Sequence, residues 1–288
     1  LFNRRYMKIT EHVRALKIPF QVPISPENKV DRFVYVYVIC GKKIWLIDTG
    51  VAGSGKVIFD YIESIGRSPK EIESIFLTHC HPDHIGSAKS IKEFCNCSIF
   101  IHQAEKAWAE NVELQSSMRP VPGFNLLVEG NVIIEDTLED KDNVILDDDL
   151  TLKVFHTPGH SAGSISYFLE QDKTLFCGDA VLSSGQMPVF DDIEDCINSI
   201  KKIMNMEKVE ILLSSWDDPA KSGLSGIFQD SIKYFEKINK TVKELSKNKQ
   251  ITDLADFCKR AVDELGLPSH CANALVSRSF QPIFKNDI

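Results

Sequence analysis

The sequence predicts a mixed α/β body followed by a helical extension. Short apolar runs rich in β-branched and aromatic residues alternate with stretches of helical periodicity throughout residues 33–214, which is typical of sheets with intervening helices. After Pro219 the strand pattern disappears, and apolar residues recur only at helical spacing. We therefore expect an α/β domain over residues 7–225 and a C-terminal helical extension over residues 226–288.

The first half begins with a hairpin and continues as alternating helices and strands. Residues 33–48 contain two β-rich runs on either side of Gly41, and a glycine in so short a connection predicts antiparallel pairing. Residues 111–130 contain prolines and glycine without periodicity, so we expect a long loop of the kind that walls a pocket. The intervening spacing predicts helices at about 53–66, 84–94 and 103–108, and strands at 72–78 and 98–102.

The second half is mostly β-structure before the helical extension. The extension should form two amphipathic helices at 226–247 and 251–265, with a third near 268–278 that Pro268 opens. No repeat of fixed short period is present. Apolar runs predict strands at 132–135, 144–146, 150–156, 164–169, 174–177 and 209–214, and a helix at 192–206.

The composition disfavours several classes of function. The 288 residues carry a net charge of −8, so a polyanionic partner is disfavoured and we expect no nucleic-acid binding. No apolar run reaches the about 18–20 residues that span a bilayer. Residues 1–6, ahead of Met7, lack the apolar core of a secretion signal. The eight cysteines are scattered without a CxxC pair, which is typical of reduced thiols. We expect a cytoplasmic protein.

Three of the eight histidines lie together in the segment HCHPDH. Neutral imidazole and carboxylate are the usual ligands of Zn²⁺ and its neighbours. His79 and His81 are two positions apart at the end of a predicted strand, so both side chains can point from one edge. Asp83 and His84 follow the turn at the proline. The motif thus presents two ligand pairs to adjacent points, which suits two metal ions a few ångströms apart.

Two later segments add ligands of the same chemistry. His160 follows a predicted strand in the segment TPGH, and Asp179 follows another in the segment CGD. A carboxylate at a strand end can bridge two metal ions. We therefore expect these two residues to complete the cluster, which binds one or two transition-metal ions and uses them to activate a water molecule.

The motif THCHPDH, with LIDTG before it and TPGHSAGS and CGDA after it, resembles the metallo-β-lactamase superfamily over about residues 30–220. The resemblance implies a four-layer αβ/βα sandwich with the metal ions at one edge of its two sheets. It implies that Asp48 orders the ligand loop from behind the ligands. It implies one or two zinc ions, with iron or manganese as alternatives. By position, it assigns the first ion to His79, His81 and His160, the second to Asp83 and His84, and the bridge to Asp179.

The sequence departs from this family at one position. Di-metal members have a further histidine after the last strand, where this sequence reads ILLSSWDDP and Trp216 stands in the expected place. An indole nitrogen only donates hydrogen bonds and cannot ligate a metal as imidazole does. We expect a second site that lacks one ligand or that Asp217 completes. Met118, Phe124 and Trp216 are candidates for lining an apolar substrate pocket, with core packing as the alternative for each.

These residues favour a metal-dependent hydrolase of a small molecule. A metal ion lowers the pKa of its bound water from about 15.7 to about 7. The resulting hydroxide can attack an ester, thioester or lactone carbonyl while Asp83 orients it and accepts its proton. One alternative is a mononuclear iron dioxygenase acting on persulfides, with two histidines and Asp179 around the ion. Another is a non-catalytic metal-binding protein with a degenerate second site. The helical extension is expected to cover the site or to form a homodimer.

Overall fold

Two β-sheets form the centre of the fold. The computed structural model describes residues 5–23, 29–247, 251 and 253–285. The strands of the first sheet are β1 (Tyr6–Lys8), β2 (Val13–Pro23), β3 (Lys29–Cys40), β4 (Ile44–Ile47), β5 (Ile72–Phe76), β6 (Ser98–His102) and β7 (Asp136–Leu138). They lie side by side in chain order. The pairs from β1 to β4 are antiparallel and those from β4 to β7 are parallel.

The second sheet has five strands in the described part of the chain. They are β8 (Asn143–Asp147), β9 (Leu150–His156), β10 (Ile165–Leu169), β11 (Thr174–Gly178) and β12 (Ile211–Ser214). Their order across the sheet is β12-β11-β10-β9-β8. Only β11 and β12 pair in parallel, and the other neighbours are antiparallel.

Helices cover the outer face of each sheet. The helices are α1 (Ser54–Ser64), α2 (Pro82–Ile85), α3 (Ala88–Cys95), α4 (Gln103–Ala109), α5 (Val112–Met118), α6 (Phe124–Leu127), α7 (Ile193–Met204), α8 (Leu224–Lys247), α9 (Leu254–Leu265) and α10 (Ala274–Lys285). Short 3₁₀ turns occur at Pro69–Glu71 and Ser269–Cys271. No helix in the described ranges combines the length and apolar composition needed to cross a membrane.

Three apolar layers hold the sheets and helices together. Successive residues of a strand point to opposite faces, and β3 is buried on both. Val36 packs toward the helices with Ile58, whereas Tyr37 packs between the sheets with Phe176. A third layer joins the second sheet to α7–α10. This arrangement confirms the predicted four-layer αβ/βα sandwich and explains why the central strands read as nearly continuous apolar runs.

The C-terminal helices are present, although α10 begins at Ala274 rather than near Pro268, and they share a core with the body. Phe235 of α8, Phe257 of α9 and Phe280 of α10 belong to the same buried cluster as Leu175 of β11. A fully buried phenylalanine contributes about 1.5–3 kcal/mol to stability. The extension is therefore packed as part of the stable body, and the domain boundary expected at residue 225 stays a prediction.

Three stretches differ from their predicted structure. The expected loop 111–130 contains α5 and α6, which are too short to show a periodicity; Asn111 caps α5 by accepting a hydrogen bond from Leu114 N at 2.9 Å. The strand expected at 132–135 is irregular, and β7 follows it. The first two strands were not predicted. β1 pairs with residues 14–16 of β2, and among the described residues no strand pairs with the outer side of the rest of β2, which suits the prolines in it.

Candidate metal centre

The predicted ligands lie where strands of both sheets end. The sheets meet here through backbone hydrogen bonds, since Ile165 N donates to Thr78 O at 2.9 Å and Tyr35 N donates to Ser215 O at 2.9 Å. Residues far apart in sequence are thereby brought to one edge. Asp48 follows β4, His79 to His84 follow β5, His160 follows β9, Asp179 follows β11 and Trp216 follows β12.

Two groups of three side chains in the described ranges have the arrangement of metal ligands. In each group, one ligand atom from every residue lies within 4.8 Å of the others. His79 is shared between the groups, so the two clusters are adjacent. The spacing of the motif predicted His79 with His81 and Asp83 with His84, and Asp83 is in neither group. The first group is His79, His81 and His160, and the second is His79, His84 and Asp179.

Hydrogen bonds to groups outside the cluster orient the histidine rings so that their nitrogen atoms face one another. His160 Nδ1 donates to the carbonyl oxygen of Val189 at 2.8 Å. A carbonyl only accepts hydrogen bonds, so in neutral His160 the lone pair lies on Nε2. That Nε2 atom is 2.8 Å from Nδ1 of His81. The Nε2 atoms of His79, His81 and His84 and Oδ1 of Asp179 are buried and make no hydrogen bond, and His84 Nε2 lies 3.4 Å from Asp179 Oδ1. Buried polar atoms rarely lack partners, and this donor set fits a divalent metal ion.

The electrostatics of the cluster favour a bound cation. Burial lowers the pKa of His79 and of His81 well below the ordinary value, which keeps these rings in the neutral form that binds metal. Burial also disfavours protonated His84, but the carboxylates of Asp179, Asp83 and Asp48 outweigh it and raise the His84 pKa. Those carboxylates attract positive charge to the second group, whether a proton or a metal ion supplies it.

Asp48 contacts the ligand loop from behind the candidate ligands. Its Oδ1 accepts from Thr78 N and its Oδ2 from Thr78 Oγ1, both at 2.8 Å. The same Oδ2 lies 2.8 Å from Nδ1 of His84 and fixes which nitrogen of that ring faces inward. Asp48 has a positive φ of 61°. Gly178 has a φ of 52°, and a Cβ there would lie 2.8 Å from Thr78. The close approach therefore requires glycine immediately before Asp179.

Trp216 presents a hydrogen-bond donor to one of the candidate ligands. Its indole Nε1 donates to Oδ2 of Asp179 at 2.9 Å. Asp217 does not join either ligand group, because Ser183 Oγ and Gln186 Nε2 donate to its two carboxylate oxygens at 2.9 Å each. The expectation that Asp217 could complete the second site therefore finds no support in its contacts.

Asp83 lies next to the second group but is a member of neither group. Its Oδ2 is 3.4 Å from Nε2 of His84, and its side chain is 17% exposed. Among the predicted ligands that reach the adjoining cavity, it is the more exposed carboxylate, since the side chain of Asp179 is 9% exposed. Asp83 is therefore open to a molecule in the cavity.

A cavity of about 600 Å³ adjoins the ligands. Its wall includes His81, Asp83, His160, Asp179 and Trp216. Most of the other residues that line it are apolar. The guanidinium of Arg32 lies 4.5 Å above the ring of Trp216. The C-terminal extension closes one side through residues 270 and 272–275. Trp216 thus has the predicted position in a pocket wall.

Met118 and Phe124 do not line the cavity, in contrast to their predicted role. Met118 is 55% exposed, and its sulfur accepts a hydrogen bond from Trp108 Nε1 at 3.4 Å. Phe124 is 5% exposed and packs in the core beneath the first sheet. The short helices α5 and α6 turn these two side chains away, which the expected irregular loop did not anticipate.

Residues that support the site from α4 and α5 were missed in the sequence. Oε2 of buried Glu105 accepts from Cys80 N at 3.2 Å, and Oε1 accepts from Gly163 N at 2.9 Å. Gln115 Nε2 donates to Cys80 O at 2.6 Å. Burial, followed by the Glu105 carboxylate, raises the pKa of the Cys80 thiol, which donates to Glu105 Oε2 at 2.8 Å. Arg119, also missed, lines the cavity. No spacing in the sequence connects these residues to the ligands.

Known proteins share both the fold and the ligand-bearing region. A family model described as the metallo-beta-lactamase superfamily matches residues 30–215. The chain belongs to the metallo-beta-lactamase superfamily. The superfamily match contains both ligand groups and ends just after the last strand of the second sheet, whereas Asp217 lies beyond it.

Several curated relatives are similar over this region. The probable metallo-hydrolase YqgX of Bacillus subtilis (strain 168) is 32% identical over 155 residues, covering 52% of this chain and 66% of that protein. A probable metallo-hydrolase of Methanocaldococcus jannaschii is 30% identical over 182 residues, covering 61% and 84%. The hydroxyacylglutathione hydrolase of Rhizobium etli is 31% identical over 143 residues, covering 49% and 47%. The chain thus spans less than two thirds of YqgX and about half of the Rhizobium enzyme.

Solved structures match nearly the whole chain. A metallo-beta-lactamase family protein from Thermus thermophilus has a TM-score of 0.74 at 17% identity, covering 97% of this chain and 95% of that one. A beta-lactamase domain protein from Burkholderia ambifaria has a TM-score of 0.71 at 15% identity, covering 98% and 89%. At these identities the likeness shows the superfamily fold, and its extent includes the region of the C-terminal helices.

Proposed function

We propose that this metallo-hydrolase cleaves the thioester of a small acyl group, with esters and lactones as chemically related substrates. The observation that carries the proposal is the cluster of inward-facing ligand atoms beside a mostly apolar cavity of about 600 Å³. Such a cavity suits a small organic molecule with an apolar body. The name of the Rhizobium relative, a hydroxyacylglutathione hydrolase, supports a thioester among the carbonyl substrates.

A divalent ion would be held by His79, His81 and His160. A second metal position would be held or bordered by His84, Asp83 and Asp179. A divalent ion held there supplies hydroxide near neutral pH, by lowering the pKa of water from about 15.7 to about 7, and it polarises the substrate carbonyl. We propose zinc as the metal, with iron or manganese as alternatives. The unpartnered Nε2 atoms of His79 and His84 support this use of the side chains.

Asp83 is proposed as the proton acceptor of the reaction. Its carboxylate lines the cavity and lies 3.4 Å from His84 Nε2, so it can orient an attacking water and take its proton. The same acid can return that proton to the thiolate that leaves when the C–S bond breaks. A substrate that displaces water from the mostly apolar cavity would strengthen the charge interactions within it.

We further propose that one metal ion, bound by the three histidines of the first group, is the working state. The hydrogen bond from Trp216 to Asp179 Oδ2 supplies a donor where di-metal relatives have a ligand, and Asp217 is engaged elsewhere. Both observations support a weakened second position. The C-terminal residues in the cavity wall support a covering role for the extension, and a homodimer through these helices stays a prediction.

The test is metal analysis followed by a substrate panel. Protein purified without added metal should contain about one zinc ion per chain, and it should hydrolyse short acyl thioesters faster than matched amides or phosphoesters. Asp83→Asn should lower kcat by about 10²- to 10⁴-fold without unfolding the chain. Iron in the purified protein, with oxygen uptake on glutathione persulfide and no thioester turnover, would overturn the hydrolase in favour of a dioxygenase.

A further inference from the structure

A buried arginine stands in the wall of the same cavity. Arg119 ends α5 and is only 5% exposed, yet it lines the cavity together with His81 and Asp83. A guanidinium keeps its charge in proteins and offers five N–H donors. Removing such a group from water costs free energy unless acceptors or an opposite charge compensate it. The position therefore calls for a negatively charged partner.

The described residues provide no direct partner for this guanidinium. It makes no hydrogen bond and no ion pair within those ranges, and the groups that favour its charged form, Asp191 first, then Asp83 and Cys80, act without direct contact. Asp191 already pairs with Arg278 at 3.7 Å, and Asp83 belongs to the ligand motif. Because Arg119 lines the cavity, the open space of the cavity is where its N–H groups can meet an acceptor.

The charge of Arg119 does not serve a bound cation. Arg119 and His81 line the same cavity, so the positive charge of the guanidinium disfavours further positive charge beside that ring. A fixed positive charge at this point stabilises an anion that enters the cavity. The planar guanidinium fork matches the two oxygens of a carboxylate.

We propose that Arg119 binds a carboxylate of the substrate while the thioester carbonyl lies at the metal centre; the inference rests on the thioester hydrolase function proposed above. The substrate class is then a small thioester with an apolar body and one carboxylate. That carboxylate can belong to the acyl group or to the thiol that leaves, because either presents the same two oxygens. Hydrolysis breaks the C–S bond and yields a second carboxylate and a thiol.

Matched substrates separate the two sources of the carboxylate. S-glutaryl-N-acetylcysteamine carries it on the acyl group, S-pentanoyl-3-mercaptopropionate carries it on the thiol, and S-pentanoyl-N-acetylcysteamine has none. Arg119→Gln should lower kcat/KM by about 10- to 100-fold for one or both carboxylate substrates, and by about twofold or less for the neutral one. An equal loss on all three substrates, or no preference of the unaltered protein for a carboxylate, would overturn the proposal.

Binding of unreactive probes tests the same contact without catalysis. Calorimetry should show that 5-oxohexanoate binds more tightly than 2-heptanone, and that Arg119→Gln weakens only the former, by about 10-fold or more. Arg119→Lys keeps the positive charge but lacks the planar fork, so it should weaken binding of 5-oxohexanoate less than Arg119→Gln does. This variant provides the test if Arg119→Gln does not fold. Surface Arg260→Gln on α9 is the matched control, and metal content is measured for every variant.

The two proposals fail in different ways. Absence of any thioester turnover by metal-loaded protein would refute the hydrolase function, while a selective effect of Arg119 on 5-oxohexanoate would still support the anion site. Conversely, the protein could hydrolyse all three thioesters while 5-oxohexanoate binds the unaltered protein and both Arg119 variants with equal affinity. That result would refute the anion site and leave the hydrolase function standing.

Discussion

Replacing Glu105 by glutamine should loosen the connection between the two segments that carry the first ligand group. Glu105 is 1% exposed. One carboxylate oxygen accepts from Cys80 N, between His79 and His81, and the other accepts from Gly163 N, three residues after His160. A glutamine of the same size has one oxygen and one NH₂ group, so one of these backbone donors would face another donor.

The magnitude follows from the contacts that are lost. A hydrogen bond to a charged group contributes about 1.5–3 kcal/mol, and a buried donor without an acceptor costs about 1–3 kcal/mol. Since Glu105→Gln weakens one interaction and breaks another, we expect the free energy of unfolding to fall by about 2–4 kcal/mol. Removing a residue that hydrogen-bonds to the ligand segments typically lowers metal affinity by about 10- to 100-fold. We expect Glu105→Gln to lower the metal affinity by a factor in that range.

Urea denaturation and competition with a chromogenic chelator measure these two quantities. Glu113→Gln is the matched control, because it removes the carboxylate of an exposed residue on the neighbouring helix and should change stability by less than about 0.5 kcal/mol. If Glu105→Gln unfolded at the same urea concentration as this control and bound metal equally well, Glu105 would not be the connection between the segments.

Three further outcomes are expected. Trp216→His should raise bound metal from about one toward two ions per chain by mass spectrometry; an unchanged content would contradict the role given to the indole. Chelation should lower the thermal midpoint, because free metal at 100 times its Kd stabilises by about 2.7 kcal/mol; equal midpoints with and without metal would exclude a resident ion. Gly178→Ala, with φ at 52° and Thr78 at 2.8 Å, should cost about 1–3 kcal/mol in urea denaturation, whereas Gly226→Ala, which meets open space, should not destabilise the chain.

The grouping of the candidate ligands could be predicted because most of them are close together in sequence. His79, His81 and His84 lie within one segment that follows a strand, so their convergence depends on a single turn rather than on the whole fold. Asp48 and Asp179 also follow strands, and motifs of the superfamily identify them. The central strands of the sandwich could be predicted for a similar reason, since burial on both faces leaves an apolar run that is visible in the sequence.

The supporting residues depend on contacts that no local pattern encodes. Glu105 reaches Cys80 and Gly163 across 25 and 58 positions of sequence, and its helix presents no motif. Arg119 reads as an ordinary polar residue until the structure shows that it is buried in a cavity wall. Met118 failed as a pocket residue because α5 directs it to solvent, and an irregular loop predicts no such direction.

The cavity wall divides unequally between two parts of the chain. Both ligand groups lie between residues 79 and 179, within the superfamily match over residues 30–215, whereas residues 270 and 272–275 of the wall lie beyond it. The helices of the extension pack on the second sheet through a shared core, so this side of the wall belongs to the same packed body as the site it faces. Substitutions there can change which molecules fit without touching a ligand. Divergence among relatives can therefore retain the chemistry while the substrate changes.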